Sequence, residues 1–249
     1  MIGLRQGKIP LPNFFVKKSL HNLEFQKNLR TFVPAKYIIC MQTYKLYANN
    51  PNPRILQDIA QVVREGGIVI YPTDSVYAIG CDALNQRAVE KIYQYRKEEQ
   101  KNGHLSIICR DIAQAAEYVR ISDRQFKLLR KNLPGPFTFI LEAGSKLPKV
   151  FRSRNTVGIR IPDQPILHAL LEELDRPLLT TSLKVQMEDG DEDNEISYMT
   201  DPFLIEEAFQ NQADVLIDGG YGEEQPSTVV SLLEDEPEVL RQGVGQLEE

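Results

Sequence analysis

The stretch Ile68-Val69-Ile70-Tyr71-Pro72-Thr73-Asp74-Ser75-Val76-Tyr77-Ala78-Ile79-Gly80-Cys81-Asp82 begins as a β-rich run, which Pro72 stops and a hydroxyl-rich turn follows. Upstream of it, Ile55, Ile59, Val62 and Val63 recur at helical spacing from Pro53, and Gly66-Gly67 suits the end of that helix. Downstream, Val89, Ile92 and Tyr93 mark one face of a second helix running into Arg96. Helix, strand, turn and helix thus alternate around one short segment.

The alternation continues. His104 to Cys109 reads as a buried strand, Asp111–Tyr118 and Ser122–Asn132 as helices, and Phe137–Leu141 and Thr156–Ile161 as strands. Ile166–Leu174 and Pro202–Phe209 read as helices, with a strand at Leu178–Ser182 between them. Val215–Ile217, Thr228–Leu232 and Val239–Leu240 are short strands separated by Gly-rich or acidic turns. Strands interleaved with helices and no Pro/Ser linker predict one α/β domain over residues 41–249.

Composition agrees. The 249 residues are 42% hydrophobic and 26% charged, which excludes wholesale disorder and leaves enough apolar chain for a core. Cys40, Cys81 and Cys109 are odd in number and form no CxxC pair. That excludes a disulfide scaffold or zinc ribbon and predicts a reducing, cytoplasmic setting. No apolar run is long enough for a membrane span, and no secretory signal is visible. Residues 1–40 hold seven Lys/Arg against one acid, Glu24, whereas the chain as a whole carries −6. This basic arm lacks helical or strand periodicity and is expected to be disordered, or to precede the natural start, and to add little to the fold.

There is no GxxxxGK[ST] loop, GxGxxG, HExxH or GxSxG. His21, His104 and His168 are scattered, and the acidic run from Glu188 to Glu195 lacks a calcium-loop pattern, so no metal site is predicted. Chemistry is left to hydroxyls, backbone amides and cations. Four segments carry them: Tyr71–Asp82; Leu133-Pro134-Gly135-Pro136-Phe137-Thr138-Phe139; Val157-Gly158-Ile159-Arg160-Ile161-Pro162; and Gly219-Gly220-Tyr221-Gly222 leading to Pro226-Ser227-Thr228-Val229. Each alone reads as turn chemistry plus strand packing. Arg160 stands out, because a guanidinium inside an apolar run needs an oxyanion partner. It is expected to line a cavity rather than to pack in a structural ion pair.

In this order and spacing the segments resemble the YrdC/YciO family of threonylcarbamoyl-AMP synthase-like proteins, from about Asn52 to Val244. Pro177-Leu178-Leu179-Thr180-Thr181-Ser182 and Arg241-Gln242-Gly243 fit the same resemblance. It implies a twisted, open mixed sheet flanked by helices around a cationic cavity. It also implies a nucleotidyltransferase that condenses L-threonine, bicarbonate and ATP, with Mg²⁺ accompanying ATP, into threonylcarbamoyl-AMP and pyrophosphate. Transfer proteins would then pass the group to tRNA, giving threonylcarbamoyladenosine (t6A).

By resemblance, Thr73, Tyr77, Thr138 and Ser182 contact threonine. Arg96 and Arg160 are the catalytic cations, and Arg96, Lys97, Ser182, Lys184, Ser227, Thr228 and Arg241 hold the nucleotide. Two departures favour the YciO branch. The synthases' Lys-x-Arg is Arg96-Lys97-Glu98 here, and their Ser-x-Asn is Ser182-Leu183-Lys184. The polar run to Asn102 and Gly103 predicts that the helix ends near Arg96, which would leave Glu98 close to the phosphates. The alternative function is a weakly catalytic or non-catalytic protein binding double-stranded RNA or tRNA through a concave cationic surface.

Overall fold

A computed structural model describes residues 41–99, 106–147, 151, 155–186 and 196–248. The chain divides into two units, Met1–Ile38 and Ile39–Glu249. The basic arm, Cys40, His21, His104 and the acidic run 188–195 lie outside the described residues.

The described strands are β1 Gln42–Lys45, β2 Val69–Tyr71, β3 Ala78–Asp82, β4 Ser106–Ile108, β5 Gly135–Glu142, β6 Thr156–Ile161, β7 Leu178–Ser182, β8 Lys184–Gln186, β9 Ile196–Tyr198, β10 Val215–Asp218, β11 Thr228–Ser231 and β12 Glu238–Arg241. The helices are α1 Pro53–Arg64, α2 Gln86–Glu99, α3 Ile112–Ala115, α4 Asp123–Asn132, α5 Pro165–Leu174 and α6 Pro202–Phe209. Ten strands form one mixed open sheet in the order β1-β10-β2-β3-β7-β4-β6-β5-β11-β12, and β8 and β9 pair separately. No described helix is long and apolar enough to cross a membrane.

Local chemistry explains the boundaries. Asn52 caps α1, with its side chain accepting from the Arg54 amide. At the other end Gly66 takes φ +91. The Gly66 amide then donates to the Val63 carbonyl and the Gly67 amide to the Val62 carbonyl, which satisfies the last free carbonyls. Ser122 and Gln125 form a reciprocal capping box at the start of α4.

The strands' two-residue period sorts side chains onto two faces. Ile70, Ile79, Cys81, Ile107, Ile159 and Leu179 join one apolar cluster, together with Ala88, Val89 and Ile92 of α2. Val69, Tyr71, Ala78, Ile108 and Leu178 join the other, covered by α1 and α5. Burial raises the thiol pKa of both Cys81 and Cys109, which are free and buried.

Three features differ from the sequence expectations. The limits of β6, β7 and α6 agree, but α3 is one turn long, with Asp111 as its N-cap, rather than running to Tyr118. The sequence does not reveal β1, β3, β8 or β9 as strands. The third difference is α2, which continues to Glu99 instead of ending near Arg96. Positions 96 and 98 therefore lie about 200° apart around the helix. Side chains from 95 to 99 are outside the description.

Candidate active site

Where β2 ends, Pro72 turns the chain and Thr73 ties it down. The Thr73 hydroxyl donates to the Val76 carbonyl at 2.8 Å and accepts from the Ser75 amide at 3.1 Å. Thr73 and Ser75 are buried, with their oxygens 3.1 Å apart. The turn therefore holds two hydroxyls inward against the sheet.

Arg160 of β6 reaches this turn. Its Nη2 donates to Ser75 Oγ at 2.9 Å, to Asp74 Oδ1 at 3.3 Å and, more weakly, to Thr73 Oγ1 at 3.5 Å. The Arg160 and Asp74 side chains are only 4% and 9% exposed. Asp74 Oδ2 accepts from the Asp163 amide at 2.8 Å, which fixes the carboxylate from its other side. Arg160 Nε is buried and has no hydrogen-bond partner. The expectation that Arg160 avoids a structural ion pair is therefore corrected. The oxyanion it needs is supplied first by Asp74, which the reading of the sequence left aside.

Burial is the largest influence on both ionisations. It raises the Asp74 pKa and lowers that of Arg160, while the attraction between the two charges opposes each shift. The positive charge of Arg241 lowers Arg160 further. The field of a second guanidinium is thus felt at the buried one.

The sheet supplies a floor. Gly158 and Arg160 lie on one face of β6, opposite Ser106 and Ile108 of β4, and Ser106 in turn lies opposite Thr180 of β7. A Cβ at Gly158 would meet Ser106 Oγ at 2.4 Å and Thr138 Cγ2 at 2.9 Å. Thr138 therefore approaches the same position from β5. A patch of hydroxyls around a glycine lies beside Arg160, on the face that carries the α1–α5 core elsewhere.

Beyond Thr138 the late motifs converge. Thr138 and Ser227 hydroxyls lie 2.9 Å apart, and exposed Arg241 donates to the Ser227 carbonyl at 2.8 Å. Thr228, also buried, donates to the Gly245 carbonyl at 2.6 Å and accepts from the Gly243 amide at 2.9 Å. Its hydroxyl clamps the C-terminal segment rather than facing a ligand.

Tyr77 is similarly committed. Its hydroxyl donates to the Gly220 carbonyl at 2.7 Å and accepts from the Gly219 amide at 3.1 Å. Burial raises its pKa to about 12. A phenol neutral in the fold but ionisable at an ordinary pKa of about 10 when unfolded stabilises the fold below pH 10. That stability is lost as pH rises towards 12. In an ultraviolet titration at constant fold, Tyr77 is expected to stay silent through pH 10–11, whereas Tyr77→Phe leaves that part of the curve unchanged and lowers the melting temperature. A full tyrosine count titrating near pH 10 before unfolding would contradict this.

Ser182 and Lys184 are both half-buried, Ser182 lying opposite Ala78 and Lys184 opposite Tyr198. Arg96 and Lys97 lie in α2. The structure brings Thr73, Thr138, Arg160, Ser227 and Arg241 into one neighbourhood. It adds Asp74, Ser75, Ser106, Gly158 and Thr180, which the motif reading did not select. Asp74 and Ser75 lie within the hydroxyl-rich turn, Thr180 within the Pro177–Ser182 segment, and Gly158 in the alternation Gly158-Ile159-Arg160, whereas Ser106 leaves no trace. Among the described residues, no group of three or more His, Cys, Asp or Glu side chains is placed to hold a metal ion. Two surface pockets lie elsewhere among the described residues, one beside α4 and the other at the β1–α1 connection.

The chain belongs to the Sua5/YciO/YrdC family, whose model, described as "Telomere recombination", matches residues 61–243. It is 37% identical over 209 residues to the "Uncharacterized protein YciO" of Escherichia coli K12, covering 83% of this chain and 97% of that one. It is 32% identical over 203 residues to the "Putative threonylcarbamoyl-AMP synthase" of Methanocaldococcus jannaschii, covering 80% and 92%. Among solved structures, E. coli YciO superposes with a TM-score of 0.75 at 36% identity, covering 84% of this chain and 98% of that one. P. abyssi Sua5 complexed with L-threonine superposes with a TM-score of 0.71 at 26% identity, covering 81% of this chain and 57% of the longer Sua5 chain.

Proposed function

We propose that this protein is a nucleotidyltransferase of the threonylcarbamoyl-AMP synthase type. L-threonine, once its ammonium group has released a proton to solvent, attacks bicarbonate through the free amine to yield a carbamate and water; a carbamate oxygen attacks the α-phosphorus of ATP, and pyrophosphate leaves. The observation that carries this reading is the buried Arg160 guanidinium, ringed by hydroxyls and left with an unpartnered Nε. A buried donor without an acceptor is unfavourable unless a ligand oxygen supplies one. The likeness to a threonine-complexed Sua5 supports threonine as that ligand.

Arg160 with Ser75 and Thr73 takes the amino acid's carboxylate, because a guanidinium fork suits a planar oxyanion. Thr138, Ser227 and exposed Arg241 orient and neutralise phosphate oxygens, with Ser182 and Lys184 at the far strand end. Mg²⁺ accompanies ATP. Tyr77 acts at one remove, pinning the Gly219–Gly220 turn, and Thr228 pins the C-terminal segment. The adenylate would feed t6A formation on tRNA through transfer proteins.

The altered cationic motif takes a revised role. Positions 96 and 98 lie about 200° apart around α2, so the two cannot both face one nucleotide, and the cation is the one that suits phosphate. Arg96→Ala is therefore expected to lower nucleotide affinity, and Glu98→Arg to leave it unchanged. A gain of affinity in Glu98→Arg would show that the helix end unwinds towards the phosphates.

The deciding assay mixes the protein with ATP, L-threonine, bicarbonate and Mg²⁺ and follows adenylate and pyrophosphate. Release that requires both threonine and bicarbonate supports the reading. Salt-sensitive RNA binding without adenylate formation would overturn it in favour of an RNA-binding role.

A further inference from the structure

Asp74 is an unexpected group in a site that would hold anions. Its carboxylate is 3.3 Å from Arg160 Nη2, so it offsets the charge that would attract a carboxylate or a phosphate. Repulsion between an incoming anion and Asp74 is also strong there, because little water reaches either side chain. Neutralising Arg160 alone would not require the second anchor, the Asp163 amide on Oδ2. That anchor holds the carboxylate at a fixed angle beside the guanidinium.

A paired acid and base in one orientation present a dipole. The ligand that matches it carries a cation and an anion at similarly short range. An α-amino acid does so, since its ammonium nitrogen lies about 2.5 Å from its carboxylate carbon, across two single bonds. We propose that Asp74 reads the α-ammonium group of an amino-acid ligand whose carboxylate is taken by Arg160. This deepens the proposed function and rests on it.

The hydrogen-bond capacity is sufficient. An ionised carboxylate offers about four acceptor directions. Asp74 uses one on Arg160 and one on the Asp163 amide, leaving capacity for an ammonium donor. Arg160 retains Nε, which has no partner. The hydroxyls of Thr73 and Ser75 donate or accept as either charge requires. Other titratable groups acting on the pair include Asp163, which raises the Asp74 pKa, Tyr71, which raises that of Arg160, and Arg241, which lowers it. Asp74 is then a specificity-determining residue, selecting a zwitterion over a simple anion.

The test is calorimetric titration of the full chain with L-threonine, with 2,3-dihydroxybutanoate (the same molecule with hydroxyl in place of amine) and with inorganic phosphate. Wild type is expected to bind L-threonine at least about tenfold more tightly than the hydroxy acid, the scale of one charge-assisted contact. Asp74→Asn is expected to remove that preference and to strengthen phosphate binding. Asp74→Glu should keep part of the preference. Equal binding of threonine and hydroxy acid by wild type overturns the assignment of Asp74 while leaving the threonine site intact. Failure of wild type to bind threonine overturns the proposed function itself, and the Asp74 assignment with it. The wild-type comparison decides the matter even if Asp74→Asn fails to fold.

Discussion

Replacing Arg160 with Met is expected to lower the melting temperature by about 10 °C and to abolish binding of threonine. The substitution leaves the Asp74 carboxylate buried beside Thr73 and Ser75 without its counter-charge. Breaking a buried pair from one side typically costs about 3–5 kcal/mol, because the surviving charge is stranded. For a domain of roughly 200 residues, each kcal/mol moves the melting point by about 2–4 °C. The sequence alone suggests a milder result, with the fold unharmed and only affinity lost.

The double variant Arg160→Met/Asp74→Asn separates these effects. Removing both charges takes away the stranded carboxylate, so most of the lost stability should return. Ligand binding should not return, because no cation remains at the turn. Thermal melts and calorimetry on wild type, both single variants and the double variant complete the cycle. If Arg160→Met is as stable as wild type, water reaches the pair and its burial has been overstated. If the double variant binds threonine normally, Arg160 is not the carboxylate clamp.

The strength of this coupling was hidden in the sequence, although its parts were visible. Arg160 signals itself as a guanidinium between apolar neighbours in a strand whose limits follow from the period-two pattern. Its partner lies 86 positions earlier, and only the order of the strands brings the two together. Asp74 by itself looks like an ordinary turn residue. The strand β3 was missed for a related reason. Ala78-Ile79-Gly80-Cys81-Asp82 contains a single β-branched residue, yet antiparallel pairing with β2 on one side and β7 on the other holds it extended. Its Gly80 is required by packing, since a Cβ there would lie 2.3 Å from the Leu179 carbonyl oxygen. Local propensity could not reveal that neighbour. The polar residues after Arg96 misled in the opposite direction: polar residues such as Lys and Glu have good helix propensity, and α2 continues to Glu99.

Gly158 offers the sharpest test of the floor. Gly158→Ala is expected to reduce threonine and nucleotide binding at least about tenfold, a loss of roughly 1.4 kcal/mol or more. The fold is expected to survive. The new Cβ would meet Ser106 Oγ at 2.4 Å and Thr138 Cγ2 at 2.9 Å, and both are side-chain atoms that can rotate away. Overpacking of this kind costs typically about 1–3 kcal/mol. The rotation is what harms function, because Thr138 would have to give up its 2.9 Å contact with Ser227 or swing into the ligand space. Gly80→Ala provides the contrast. Its obstacle is the Leu179 backbone carbonyl, which cannot rotate aside without breaking the β3–β7 ladder, so it should lose the fold first. Ser106→Ala added to Gly158→Ala removes the nearest clash and should restore part of the stability, while the Thr138 clash, and with it the loss of affinity, remains. Melts and titrations on wild type and the three variants decide between a floor and ordinary packing. If Gly158→Ala loses stability but the folded fraction binds as well as wild type, the glycine serves strand packing alone and the ligand lies elsewhere.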